Sequence, residues 1–371
     1  MDFSKLEKYL DSLVSSTGGI DTQIKVLRDG QELYSYVGGF RDQAHKHPAS
    51  EDDCFYFYSL TKPITCTAAM RLVERGLLDL DAPVYKYLPY FKNATVKTEN
   101  GTRPLNEELL VRHLFSMQSG LNYDLSDAYN EAVKRGADTA ELMKVTIESI
   151  PLSFVPGTHW LYACRNHDAL GLIIEKITGI PFAQYLKENI LSPLSMEHIG
   201  FHFDDFLENN IADIYRRDSG EEFIKQPTGP RLGPTRNYIS GAYGLMGNLS
   251  TYIKFAAMLA SGGRAPDGTV ILGTDALNLM RTDCLKDEFR DEFRLAPFGF
   301  GYGLGVRTLI TKEFGVRSPI GEFGWDGAAG AFMLADTENN IAVVFLTHTL
   351  SGNTLLDQNA IRDLVYEAIF G

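Results

Sequence analysis

Apolar residues at Phe3, Leu6, Leu10, Leu13 and Val14 recur at helical spacing and predict a helix over 3–16, closed by Gly18-Gly19. Two strand-like runs follow, 23–27 and 33–38. They flank Arg28-Asp29-Gly30, where Asp-Gly favours a hairpin turn. Residues 41–53 are polar loop, and an aromatic run (Phe55, Tyr56, Phe57, Tyr58) leads into a helical pattern ending at Gly76. A further helix is expected from Leu77, with Pro83 in its first turn, and a loop over 90–106. A short helix is expected at 109–117, mainly helix over 125–150, and helices at 168–178 (closed by Gly179) and 182–190, with no strand between 60 and 200. Residues 211–240 read as irregular, with Pro227, Pro230 and Pro234. Helices at 251–260 and 274–280 precede three strands, 299–309, 331–336 and 341–348, and a closing helix over 357–370. Strands at both ends of the chain predict one antiparallel sheet with a helical lobe inserted, an α+β layout. The division falls at 1–58 with 240–371 for the sheet domain and 59–239 for the helical one.

Composition narrows the function classes. The 371 residues are 44% hydrophobic and 22% charged, ordinary for a globular protein with a large core. A net charge of −13 argues against nucleic acid or an anionic membrane as partner. The N-terminus reads as an amphipathic helix, not a signal peptide, and no long apolar span is present. Cys54, Cys66, Cys164 and Cys284 lack paired spacing and read as reduced thiols, so a cytoplasmic protein is expected. His45/His47 and His198/His202 have metal-compatible spacing without matching partners and read as surface residues; no metal or cofactor is expected.

The candidate chemistry starts at Ser59-Leu60-Thr61-Lys62. A helix beginning near Ser59 puts the hydroxyl at the positive end of the dipole and the Lys62 amine one turn on, on the same face. Serine becomes nucleophilic only when a base takes its proton, and a desolvated lysine can be that base. A chain of this length holds roughly one Ser-x-x-Lys by chance, so an N-cap with a surface lysine is the bland alternative. Two later stretches shift the balance. Tyr162-Ala163-Cys164 lies in a loop before an apolar helix, and Phe323-Gly324-Trp325-Asp326-Gly327-Ala328-Ala329-Gly330 is glycine-rich and leads into a strand.

Taken in order, these motifs resemble those of the serine beta-lactamase and penicillin-binding-protein superfamily. They are most similar to the class C beta-lactamase-like branch that includes family VIII carboxylesterases. Segments 110–121, 172–179, 191–196 and 241–245 extend the resemblance over about 20–350. It implies an antiparallel sheet flanked by terminal helices, an inserted helical domain and an active site at their interface. It also implies Ser59 as the acylated nucleophile, Lys62 and Tyr162 as proton-handling groups with either as primary base, and an oxyanion hole from the Ser59 and Ala328 backbone. Lys62 is expected to be held partly neutral by burial and neighbouring positive potential.

Two positions depart from the family pattern. Cys164 stands where the motif asparagine is usual, and Trp325 where a cation is usual, beside an added negative charge at Asp326. With Gly327, these are the expected substrate contacts, with Trp325 facing an apolar acyl or alcohol group. Arg165, Arg236 and His159 could restore positive charge but read as solvated. The expected function is a serine hydrolase of small esters. The alternatives are a beta-lactamase or D-amino-acid peptidase acting on a lactam or amide, and a non-catalytic sensor. Oligomeric state is not legible.

Overall fold

The computed structural model describes residues 1–217, 222–350 and 354–371, the side chains of 354–356 excepted. Helix α1 (Ser4–Ser16) leads to the hairpin β1 (Thr22–Arg28) and β2 (Gln31–Gly38). Its turn has positive φ at Asp29 (51°) and Gly30 (72°), the conformation that Asp-Gly tolerates. Strand β3 (Cys54–Tyr56) and helix α2 (Thr61–Glu74) follow. Beyond α2 the expected helix over 77–88 is only a short 3-10 turn at Val84–Lys86. The expected loop over 90–106 contains a hairpin, β4 (Thr95–Thr98) and β5 (Gly101–Pro104). Its strands are four residues each and largely polar, so no alternating apolar pattern announces them.

The helical insert continues with α3 (Val111–Phe115), α4 (Asp127–Lys134), α5 (Thr139–Ser149), α6 (Arg165–Thr178) and α7 (Phe182–Leu186). Gly179, at φ 70°, closes α6 in the left-handed cap that glycine favours. The helix expected to run on from 182 changes to a π turn at Lys187–Leu191. After β6 (Ile199–Gly200) and α8 (Asp205–Asn210), the segment expected to be irregular forms a second small hairpin, β7 (Ile214–Arg217) and β8 (Phe223–Gln226). Residues 218–221 of that expected loop lie outside the described residues.

Strand β9 (Met246–Asn248) precedes α9 (Leu249–Ala260), whose Asn248 side chain caps the Thr251 amide at 3.0 Å. Helix α10 (Thr274–Arg281) is followed by β10 (Phe300–Tyr302), β11 (Arg307–Leu309), β12 (Phe323–Asp326), β13 (Phe332–Asp336), β14 (Ile341–Thr347), β15 (Thr349–Leu350) and α11 (Thr354–Phe370). The main sheet has seven strands in the order β10-β11-β12-β13-β14-β1-β2, all antiparallel. Its C-terminal part thus has five strands rather than the three expected. The run 299–309 is two strands, and Trp325 and Asp326 lie on a strand rather than ahead of one.

Register joins the two ends of the chain: β1 pairs with β14 from Thr22 opposite Thr347 to Arg28 opposite Ile341. Alternate residues serve opposite faces. Phe332, Leu334, Val343 and Phe345 pack with Ile24 and Val26 under α1 and α11. Met333, Ala335, Val344 and Leu346 join the large core that contains α2, α6 and α9. Burial on both faces explains why β13 and β14 read as continuous apolar runs. Helix α2 is buried over Thr61 to Met70, consistent with a central helix. Among the described residues no helix is long and apolar enough to cross a membrane.

Candidate active site

Ser59 sits on a 3-10 turn, Tyr58–Leu60, between β3 and α2. Tyr58 has φ 46°, a strained conformation for a non-glycine residue that sharpens the turn. Neighbours hold it rigidly. The Phe57 amide donates to the Leu245 carbonyl at 3.0 Å, and the Leu245 amide to the Thr61 hydroxyl at 3.1 Å. The Tyr252 hydroxyl donates to the Leu60 carbonyl at 2.6 Å. The His348 imidazole accepts the Tyr56 amide at 3.0 Å and contacts the Ala212 carbonyl at 3.0 Å.

Two polar groups converge on Ser59 Oγ. Lys62 Nζ lies 2.9 Å away and the Tyr162 hydroxyl 2.6 Å away. The Lys62 ammonium also donates to the Ala242 carbonyl at 3.1 Å, contacts Cys164 Sγ at 3.6 Å and sits 4.7 Å from the Tyr162 ring centre. Lys62 is fully buried, which by itself pushes its pKa down. The Cys164 thiol, the Tyr162 phenol and the Asp168 carboxylate outweigh that, and the net shift is upward. The expected partly neutral amine beside positive potential is therefore corrected: the surroundings of Lys62 accept hydrogen bonds and favour the ammonium.

Asp168 stands behind this arrangement. It is buried, takes the Tyr238 and Ser240 hydroxyls, and burial pushes its pKa up to about 6. The Ser240 hydroxyl also receives the Ala242 amide at 3.1 Å, so Asp168 is linked to the carbonyl that holds Lys62.

The third motif lies at the end of β12. Gly327 donates to the Ala331 carbonyl at 2.7 Å, and Thr349 on β15 donates to the Ala329 carbonyl at 3.0 Å. These bonds fix a turn at whose tip Ala328 is exposed. A Cβ on Gly327 would come within 2.7 Å of the Phe57 carbonyl, so the turn packs directly on the backbone that precedes Ser59. Gly327→Ala is expected to push that turn outward and lower kcat by about a hundredfold, with steady-state ester kinetics as the measure.

Trp325 does not line open space. It is 1% exposed and packs behind Tyr162, ring centres 5.8 Å apart, in a cluster with Trp160, Phe293 and Tyr302. The expected apolar contact through Trp325 is corrected: the indole acts on the site by backing the Tyr162 ring. Asp326 is not an uncompensated charge either, because Arg294 pairs with its carboxylate. Arg165, expected to be solvated, is buried and donates to the carbonyls of Asn122 and Asp124 at 2.7 Å each. His159 is tied to Glu292 at 2.7 Å, and Arg236 is exposed.

The chain matches the Beta-lactamase family over residues 6–367. The chain belongs to this family. Relatives within reach include Esterase EstB of Burkholderia gladioli, 28% identical over 98% of this chain and 95% of that protein. Acyltransferase calJ of Penicillium decumbens is 34% identical over 86% of this chain and 81% of the other. Among solved structures, EstCE1, a hydrolase with promiscuous acyltransferase activity, superposes with a TM-score of 0.81 at 25% identity, covering 98% of both chains.

Within this beta-lactamase fold, the polar groups that sequence reasoning missed are Tyr123 on a loop, Asp168 on α6, and Glu292 and Arg294 ahead of β10. Tyr123 donates to Cys164 Sγ at 3.2 Å and accepts the Cys164 amide at 3.1 Å, while the residue is 55% exposed. Arg165 anchors the loop that carries it. Asp168, Glu292 and Arg294 were likewise passed over. Asp168 opens the apolar helical run at 168–178, where it reads as an ordinary first-turn acid, and the nearest signal for Tyr123 was its position two residues after the 110–121 segment.

Proposed function

We propose that the protein is a serine hydrolase that cleaves small esters through a covalent acyl-enzyme. The observation that carries this reading is the convergence of Lys62 Nζ and the Tyr162 hydroxyl on Ser59 Oγ. The Tyr162 phenol first gives up its proton to solvent, and the phenolate, held beside the Lys62 ammonium, then takes the Ser59 proton as Ser59 Oγ attacks the ester carbonyl. Lys62 stays an ammonium, in keeping with its raised pKa, and stabilises negative charge on Tyr162 and Ser59. The backbone N–H groups of Ser59 and Ala328 receive the developing oxyanion. Collapse breaks the C–O bond to the alcohol, which takes the proton from Tyr162. Water then repeats the sequence in reverse: Tyr162 accepts its proton, the acyl group leaves as the acid and Ser59 regains a proton.

Ester rather than lactam substrates are favoured because Arg294, the cation at the third motif, is already committed to Asp326. A short-chain p-nitrophenyl ester is expected to give a burst of nitrophenol equal to the enzyme present, and intact mass is expected to find the acyl group on Ser59. Hydrolysis of a chromogenic cephalosporin is expected to be at least about a hundredfold slower. Lactam turnover as fast as ester turnover would overturn the ester preference.

A second reading is acyl transfer to an alcohol in place of water. The similarity to Acyltransferase calJ and to EstCE1 supports it. Adding a primary alcohol to the ester assay distinguishes the two: new ester formed in proportion to alcohol favours transfer, and free acid alone favours hydrolysis.

A further inference from the structure

The segment before β10 holds three consecutive residues that reach both halves of the site. Glu292 accepts the Trp160 amide at 2.6 Å and the His159 imidazole at 2.7 Å, two and three residues ahead of Tyr162. Arg294 pairs with Asp326, next to Gly327 and the Ala328 turn. Between them Phe293 is fully buried, edge-on to Trp160 at 5.1 Å and stacked with Trp325 at 6.4 Å. Tyr302 closes the aromatic group at 5.5 Å from Phe293 and 5.1 Å from Trp325. The loop carrying Tyr162 and the strand carrying the Ala328 turn are far apart in sequence. No hydrogen bond joins the described residues 160–164 directly to 325–328; the Tyr162–Trp325 stack, the Tyr302 ring between Trp160 and Trp325, and this tripeptide connect them, and of these only the tripeptide adds polar bonds.

We propose that Glu292-Phe293-Arg294 is a clasp that sets the distance between the proton-handling loop and the oxyanion turn. Glu292, Phe293 and Arg294 are positioning residues: they touch no reacting atom and act through Tyr162 and Ala328. The clasp rests on the reading that Ser59 is acylated. Its polar ends are charged bonds that fix geometry, and its buried phenyl ring fixes depth. Arg294 and Glu292 are partly exposed, so their substitution does not open the core. Asp326 is the complementary element on β12, a positioning role in place of the substrate contact expected of it.

The test uses Arg294→Gln, Arg294→Lys, Asp326→Asn, Glu292→Gln and the double variant Arg294→Gln with Asp326→Asn. For each, kcat and KM for a p-nitrophenyl ester, the rate of Ser59 labelling by a fluorophosphonate and the melting temperature are measured. Arg294→Gln, Asp326→Asn and Glu292→Gln are each expected to slow kcat and labelling by about tenfold, with KM changed by less than about twofold. The double variant is expected to be no slower than its slower single, because both remove one interaction. Arg294→Lys keeps the charge and is expected to recover most of the rate. Assays are run well below the lowest melting temperature, so a lost rate reports geometry and not unfolding. Wild-type kcat and labelling in the singles, or losses that multiply in the double, would overturn the clasp. If Ser59→Ala stays active, the acyl-enzyme reading falls; if Ser59→Ala is inactive and the clasp variants are unaffected, the clasp alone falls.

Discussion

Ser59→Ala is expected to remove ester turnover by about 10⁴-fold or more, and Tyr162→Phe to lower it by about 10³-fold. The two losses have different origins. Without Oγ no acyl-enzyme forms, and what remains is background assisted by the oxyanion turn. Without the Tyr162 hydroxyl the nucleophile stays in place, 2.9 Å from Lys62, but the acceptor of its proton is gone. Lys62→Ala is expected to fall with them, because it removes the ammonium that bridges Ser59 and the Ala242 carbonyl. These residues act as a unit, so the double variant Ser59→Ala with Tyr162→Phe is expected to be no worse than Ser59→Ala alone. Steady-state kinetics with a p-nitrophenyl ester measures all of them. A Tyr162→Phe enzyme with undiminished kcat would remove Tyr162 from the proton path and return the role to Lys62.

The second large effect is acid lability. His348 is fully buried, and burial lowers its pKa to about 4 from an ordinary 6.5. The unfolded chain therefore binds a proton that the folded chain refuses between pH 6.5 and 4. Stability is fully present above about 6.5 and is lost as pH falls through that window, by about 3 kcal/mol from this residue. Burial likewise lowers His113 to about 4 and pushes the pKa of fully buried His167 well down. Asp168 works against them. Its folded pKa is raised to about 6, so its contribution favours the folded state as pH falls through 6 toward 3.8, also by about 3 kcal/mol. The net expectation is a fall of several kcal/mol between pH 6.5 and 4, read by denaturant unfolding at stepped pH. His348→Gln, whose amide can accept from Tyr56 and donate to Ala212, is expected to flatten that slope. An unchanged slope would exclude His348 as a cause.

Much of the architecture was legible because burial is written into periodicity. The terminal helices, the β1–β2 hairpin, the strands at 331–336 and 341–348 and the glycine that closes α6 all follow from apolar spacing and turn chemistry. The polar hairpins at 95–104 and 214–226 were not legible, since short strands carry little apolar pattern. The long glycine run at 299–309 hid two strands, because its turn at 303–306, with Gly305 at φ 91°, looked like more strand.

The chemistry divides along the same line. Ser59 and Lys62 are one helical turn apart, so local geometry brings them together and the sequence alone could pair them. Tyr162, Cys164 and the 325–328 segment were found only because motif order resembled a family. Their distances to Ser59 come from the packing of loops onto α2 and β12. What the sequence could not supply was charge and exposure. A partly neutral Lys62 is expected from burial and neighbouring positive potential, but the groups it meets, Cys164 and the Ala242 carbonyl, lie 102 and 180 residues away in the chain. The resemblance of Trp325-Asp326-Gly327 to family VIII esterases implies a tryptophan facing an apolar substrate group, but its exposure depends on Phe293, Tyr302 and Trp160 closing over it. Asp326 was read as a bare charge because Arg294 lies 32 positions upstream. Periodicity and turn residues act between near neighbours, and these fix elements and the Ser59–Lys62 pair. Electrostatic partners and solvent exposure are properties of contacts between distant segments, and only the tertiary structure decides them.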